Sequence, residues 1–159
     1  MTIYFKLTAF PQVSETFIVN NLVYAKQKGY DIKIYCNQYL GLKNSSQSAL
    51  LKEFKIENDV VKPFSFSRSK FKKLGQVFYI LGHFRVLKYV YAFYKIKRQK
   101  NLSPLATLYQ YKDFKNAIVH VHFNSALQPL IDLAKIGYIN PQCIITFHGY
   151  DAFLDDEKE

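Results

Sequence analysis

The side chains best equipped for chemistry fall in three short runs. Ser14, Glu15 and Thr16 follow a first apolar run, His120 and His122 form an HxH pair, and His148, Gly149 and Asp151 follow the run Cys143–Phe147. An imidazole can orient a substrate hydroxyl by hydrogen bonding without a metal. The HxH pair puts both rings on one face of a strand. Two histidines lack the further ligands that a zinc site takes, so the pair reads as structural and no metal is expected. The chain has no GxGxxG, P-loop, CxxC or HExxH pattern, which argues against a nicotinamide or flavin enzyme and against a P-loop nucleotidase.

These residues need elements that bring them to one place. Cys143–Phe147 is short, apolar and rich in β-branched residues, which suits a strand buried on both faces of a parallel sheet. Gly149 then permits a sharp turn, and His148 and Asp151 are either ligand-facing or merely solvated. Ile3–Leu7 reads as a first strand and Thr8–Ser14 as a loop. Ser14 is a helix N-cap and Glu15 a favourable charge in the first turn. Ile18, Leu22 and Ala25 keep helical spacing, Gly29 ends the helix, and Ile32–Cys36 alternates as a second strand. That is a βαβ unit with a right-handed crossover. Further on come a loop from Asn37 to Gln47, a short helix Ser48–Phe54 and a third strand Ile56–Val61. Ser67–Lys100 forms one or two helices, with Val86, Val90, Phe93 and Tyr94 on one side and Arg85, Lys88 and Lys95 on the other. Pro104 opens another short helix. Ile118–His122 is a strand, Ser125 caps a helix ending near Gly137, and the strand containing Cys143 follows. The acidic run 155–159 reads as a frayed end, and no internal repeat stands out.

A chain of 159 residues, 49% hydrophobic and 21% charged, fits one folded α/β domain and excludes general disorder. Cys36 and Cys143 lie in strand-like runs and read as reduced core residues of a cytoplasmic protein. No signal peptide and no run of 18 apolar residues is evident. The net charge of +10 is concentrated: no acidic residue lies between Asp59 and Asp113, and that interval holds twelve of the 22 basic residues. The remainder has ten basic against twelve acidic residues, a balance of −2. Residues 67–112 therefore read as a basic helical insert whose partner is anionic: a lipid surface, a phosphate-bearing substrate or nucleic acid.

Three stretches together carry a resemblance: FPQVSETFIVNNLVYAKQKGYDIKIYC (Phe10–Cys36), VHVHFNS (Val119–Ser125) and ITFHGYD (Ile145–Asp151). In this order they resemble the N-terminal domain of family 4 glycosyltransferases, closest to the bacterial polysaccharide branch that begins FP-x-x-SETFI. The match covers about half the residues and leaves out roughly Asn37 to Lys115, where that family varies. The resemblance implies the N-terminal half of a GT-B fold, Rossmann-like and holding the acceptor. A second domain, absent here, would bind the nucleotide-sugar, so the chain alone is expected to transfer no sugar. The implied reaction is retaining and needs no metal or other cofactor. By resemblance His122 is the catalytic position near the donor sugar, while Ser14, Glu15, Thr16, His148, Gly149 and Asp151 line the cleft. Many members carry a Gly-Gly pair in the first loop; Val13, Ser14 and Glu15 stand near that place here, and Glu15 would oppose a phosphate.

Two function classes follow. One is the acceptor-binding half of a transferase acting on a saccharide or lipid-linked saccharide, with Arg85, Lys88 and Lys95 against the inner face of an anionic membrane. The other is a basic nucleic-acid-binding module, with Phe78, Tyr79, Tyr91 and Tyr94 among the cations. No RNP, KH or helix-turn-helix pattern supports the second, so no nucleic acid is expected.

Overall fold

The computed structural model describes residues 1–147, so the expectations for His148, Gly149, Asp151 and the acidic end lie outside the described residues. The chain forms two compact units: one of Met1–Lys62, Ala117–Leu127 and the segment from Gln142 on, the other of Pro63–Asn116 and Gln128–Pro141.

The first unit is an α/β structure, as expected. Its elements are β1 (Thr2–Phe10), α1 (Thr16–Gln27), β2 (Asp31–Tyr39), α2 (Ser48–Glu53), β3 (Val60–Val61), β4 (Ile118–His122) and β5 (Gln142–Thr146). All five strands are parallel, in the order β3-β2-β1-β4-β5. This is a Rossmann-like arrangement in which the winding reverses between β1 and β4. β1 is central, and Phe5, Lys6 and Leu7 are all buried on it. Ile18, Val19 and Leu22 of α1 join Phe5, Leu7 and Ile34 in one apolar core, the burial that holds helix to sheet. Gly29 ends α1 at φ +78°, a conformation that glycine adopts without strain.

Four expectations need correction here. β3 is only two residues long, because Ile56–Asp59 winds into a 3₁₀ turn first. Ser14 is exposed and α1 starts at Thr16, with Glu15 at the N-cap position and no side-chain cap bond. Ser125 caps no long helix: Asn124–Leu127 is a 3₁₀ turn, and Pro129 precedes a separate short helix. β5 is a strand, yet it is an edge strand that stays open. Cys143 and Ile144 are exposed and Ile145 and Phe147 remain partly so. Apolar β-branched residues specify the strand, but burying their side chains takes elements packed on the faces of the sheet; β5 lies at its edge, and among the described residues only β4 pairs with it.

The second unit is helical: α3 (Lys70–Leu81), α4 (Phe84–Lys97), α5 (Ser103–Gln110) and α6 (Leu130–Lys135). Pro104 lies in the first turn of α5, where its missing N–H is not needed. α4 packs on α3, α5 and α6 and buries Val86 and Phe93, two members of the side the wheel assigned to apolar packing. Arg85 is the clear departure. The wheel placed it with Lys88 and Lys95 on a membrane-facing side, but it is half-buried. It donates to the carbonyls of Lys112 and Tyr138, and its guanidinium lies 4.6 Å from the Tyr138 ring centre. Lys88 and Lys95 are exposed.

Candidate functional site

Thr8 near the end of β1, the loop into α1, and the residues just after β4 meet at the carboxyl edge of the sheet. In an open α/β sheet the point where the winding reverses leaves a crevice, because the two adjacent crossovers leave in opposite directions. Here that crevice is a cavity of about 250 Å³, its wall including Thr8, Gln12, Glu15, Phe123 and Ser125. Thr8 Oγ1 and Ser125 Oγ lie 3.3 Å apart, so a hydroxyl pair bridges the two strand ends.

Glu15 is the unusual member. Its side chain is 8% exposed despite its place in a loop. Gln12 Nε2 donates to Oε1 at 3.0 Å, whereas Oε2 is buried with no hydrogen-bond partner. Burial pushes the carboxyl pKa above its ordinary value. Glu15 is thus not the first-turn charge expected from the sequence; it turns inward, and burial shifts it towards its neutral form. As a carboxylic acid it can donate one hydrogen bond and accept others, the pairing that a sugar hydroxyl offers in return.

A carboxyl whose folded pKa is raised stabilises the fold only at low pH, and that contribution is lost as pH rises through the folded value. Glu15→Gln keeps the shape and removes the titration. It should therefore raise the unfolding temperature at pH 7 and leave it nearly unchanged at pH 4, measured by calorimetry. An equal shift at both values would show that Glu15 carries no burial cost.

Phe123 closes one side of the cavity. Its backbone is left-handed, φ +70°, which costs a non-glycine residue energy and is retained where the surroundings impose it. Its N–H donates to Thr146 O at 3.1 Å, and its ring meets Phe17 edge-on at 6.3 Å.

His122 is placed otherwise than expected. It is fully buried, its ring 6.4 Å from Phe5, 5.9 Å from Phe17 and 4.2 Å from His120, and it is not on the cavity wall. The HxH spacing does put both rings on one face, but that face packs against aromatic rings from β1 and α1. His120 Nε2 lies 2.8 Å from Thr146 Oγ1. Ser14 and Thr16 are exposed and off the cavity wall, so Glu15 is the member of that triplet brought to the site. Among the described residues no group of three or more His, Cys, Asp or Glu is placed to hold a metal ion.

Sequence reasoning missed Thr8, Gln12 and Phe123, and took Ser125 for a cap. Their signal is positional: each lies in or just beyond the end of β1 or β4, the two strands flanking the reversal. Compared with known proteins, the chain matches no family model, no curated protein and no solved structure.

Proposed function

We propose that the α/β unit is the acceptor-binding half of a retaining GT-B glycosyltransferase of family 4, moving a sugar from a nucleotide-sugar to a saccharide or lipid-linked saccharide. The observation that carries this reading is the cavity at the sheet's reversal point, with a buried carboxyl, two hydroxyls and an aromatic wall. Carbohydrate sites use this composition: hydroxyls pair with polar groups that both donate and accept, and the apolar face of the ring packs on an aromatic side chain. A carboxyl held towards neutrality suits an uncharged polyol better than the phosphates of the donor, and Glu15 as an anion would repel them. That favours an acceptor over a donor for this cavity, with the donor left to a second domain.

Titrating the 159-residue chain with oligosaccharides and with nucleotide-sugars, by ligand-observed NMR, tests this. We expect saccharide binding, weakened at least about tenfold by Glu15→Ala, the scale of losing one or two hydrogen bonds to a buried polar group. Incubation with nucleotide-sugars should give no product. Saccharide affinity equal in the alanine variant would remove Glu15 from the site; turnover by the chain alone would remove the two-domain reading.

A further inference from the structure

We propose that α3 and α4 seat this chain on an anionic lipid bilayer, with Phe71, Phe78, Phe84 and Tyr91 entering the interface and the neighbouring lysines meeting lipid phosphates. The observation is a pair of outward apolar stripes. Phe71 is 90% exposed, Phe84 80% and Tyr91 79%; Leu74, Phe78 and Leu87 are more than half exposed. Residues at i, i+3 and i+7 share one face of a helix. Phe71, Leu74 and Phe78 have that spacing on α3, and Phe84, Leu87 and Tyr91 have it on α4. The two segments, FKKLGQVF and FRVLKYVY, therefore repeat one pattern thirteen residues apart, joined by Gly82 and His83.

The core does not need these rings. Ile80 on α3 and Val86 and Phe93 on α4 are the buried residues, and at 100° per residue they fall on the side opposite each stripe. Singly exposed apolar residues are ordinary, but six large ones at helical spacing on consecutive helices are an interaction surface.

Charge selects the occupant. Lys88 and Lys95 are exposed and, at i−3 and i+4 from Tyr91, flank the α4 stripe; Arg68, Lys70 and Lys72 are exposed at the start of α3. The sequence offers no acidic residue from Val60 to Lys112. A second copy of this chain would set cation against cation, whereas an anionic bilayer supplies both phosphates for the lysines and an apolar layer for the rings. Among the described residues no helix is long and apolar enough to cross a membrane, so the helices would lie in the interface. This inference does not depend on the glycosyltransferase reading.

The test is co-sedimentation of the 159-residue chain with vesicles of phosphatidylcholine alone and of phosphatidylcholine mixed with phosphatidylglycerol. We expect binding to the mixed vesicles that weakens as salt rises. A variant with Phe71, Phe78, Phe84 and Tyr91 changed to serine should partition at least about tenfold less while keeping its circular dichroism spectrum. Lys88→Glu with Lys95→Glu, which leaves every ring in place, should lose the preference for phosphatidylglycerol. Should the serine variant misfold, the lysine variant alone decides. Equal recovery in the supernatant with and without phosphatidylglycerol overturns the proposal. So does single-stranded DNA binding without vesicle binding, or a dimer that the serine variant abolishes.

Discussion

Arg85→Ala should destabilise the helical unit by about 3 kcal/mol, through lost hydrogen bonds to two carbonyls and a lost stacking contact. The guanidinium reaches from α4 to the carbonyls of Lys112 and Tyr138, residues far apart in sequence, while lying over the Tyr138 ring. Tyr138 is itself almost wholly buried and donates its hydroxyl to Leu108 O at 2.7 Å. Burial pushes its phenol up to about 12, with Arg85 acting the other way, so the tyrosine stays neutral and keeps its donor role. One arginine thus ties α4 to the turn after α5 and to the segment after α6, and Tyr138 carries the link on to α5. Lysine cannot replace it, because an ammonium lacks the planar fork that serves two carbonyls and stacks at once. Arg85→Lys should recover only a minority of the loss. In thermal unfolding the alanine variant should fall by roughly 6–12 °C, at 2–4 °C per kcal/mol for a chain of this size. An unchanged midpoint would show that the carbonyls are as well served by water.

Arg85 also shows where reading a sequence stops. A helical wheel sorts residues by angle, and Arg85 stands on the same broad side as Lys88. The angle does not say which neighbour arrives from elsewhere in the chain. Burial of Arg85 depends on Tyr138, more than fifty residues on, and no local pattern encodes that meeting. The parallel strands and α1 were legible because they repeat local signals: apolar runs of strand length, a 3.6-residue period from Ile18 to Ala25, and Gly29 at the turn. The openness of β5 was not, since CIIT reads the same at an edge as at a centre.

The site divides along the same line. That strand ends at the carboxyl edge would converge follows from parallel topology alone, and Glu15 lies on the cavity wall there. Its inward turn was not legible, because a glutamate after serine reads as a helix start with a solvated charge. His122 fails for the opposite reason. Two histidines at alternate strand positions face the same way, but whether that face looks at solvent or at Phe5 and Phe17 is decided by α1. The stripes on α3 and α4 escaped because a search for a buried face stops at Val86 and Phe93, and the second apolar side of each helix has no partner to explain.

Lys6→Met should raise stability below pH 8 by on the order of 3 kcal/mol. Lys6 is fully buried in the middle of β1, its Nζ donating to Asn37 Oδ1 at 2.8 Å and Leu7 O at 3.3 Å. Burial lowers its pKa from 10.5 to about 8, with Cys36 acting the other way. Below about 8 both folded and unfolded chains carry the proton, and the full cost of holding an ammonium in the sheet is present. Between about 8 and 10.5 the folded protein has released its proton while the unfolded chain keeps its own, so stability rises with pH across that window. The interval corresponds to about 3 kcal/mol at about 1.4 kcal/mol per pH unit. Methionine fills similar volume without a charge, and the exposed Asn37 it leaves behind can turn to water. Burial also raises the Cys36 thiol, which opposes the rise at alkaline pH. The measurement is therefore the difference between the two proteins, by urea unfolding at pH 7, 8, 9 and 10. We expect the methionine advantage to be largest at pH 7 and to shrink towards pH 10. A variant less stable than the parent at pH 7 would mean that the hydrogen bonds of Lys6 outweigh its desolvation, and that the ammonium holds β1 to β2.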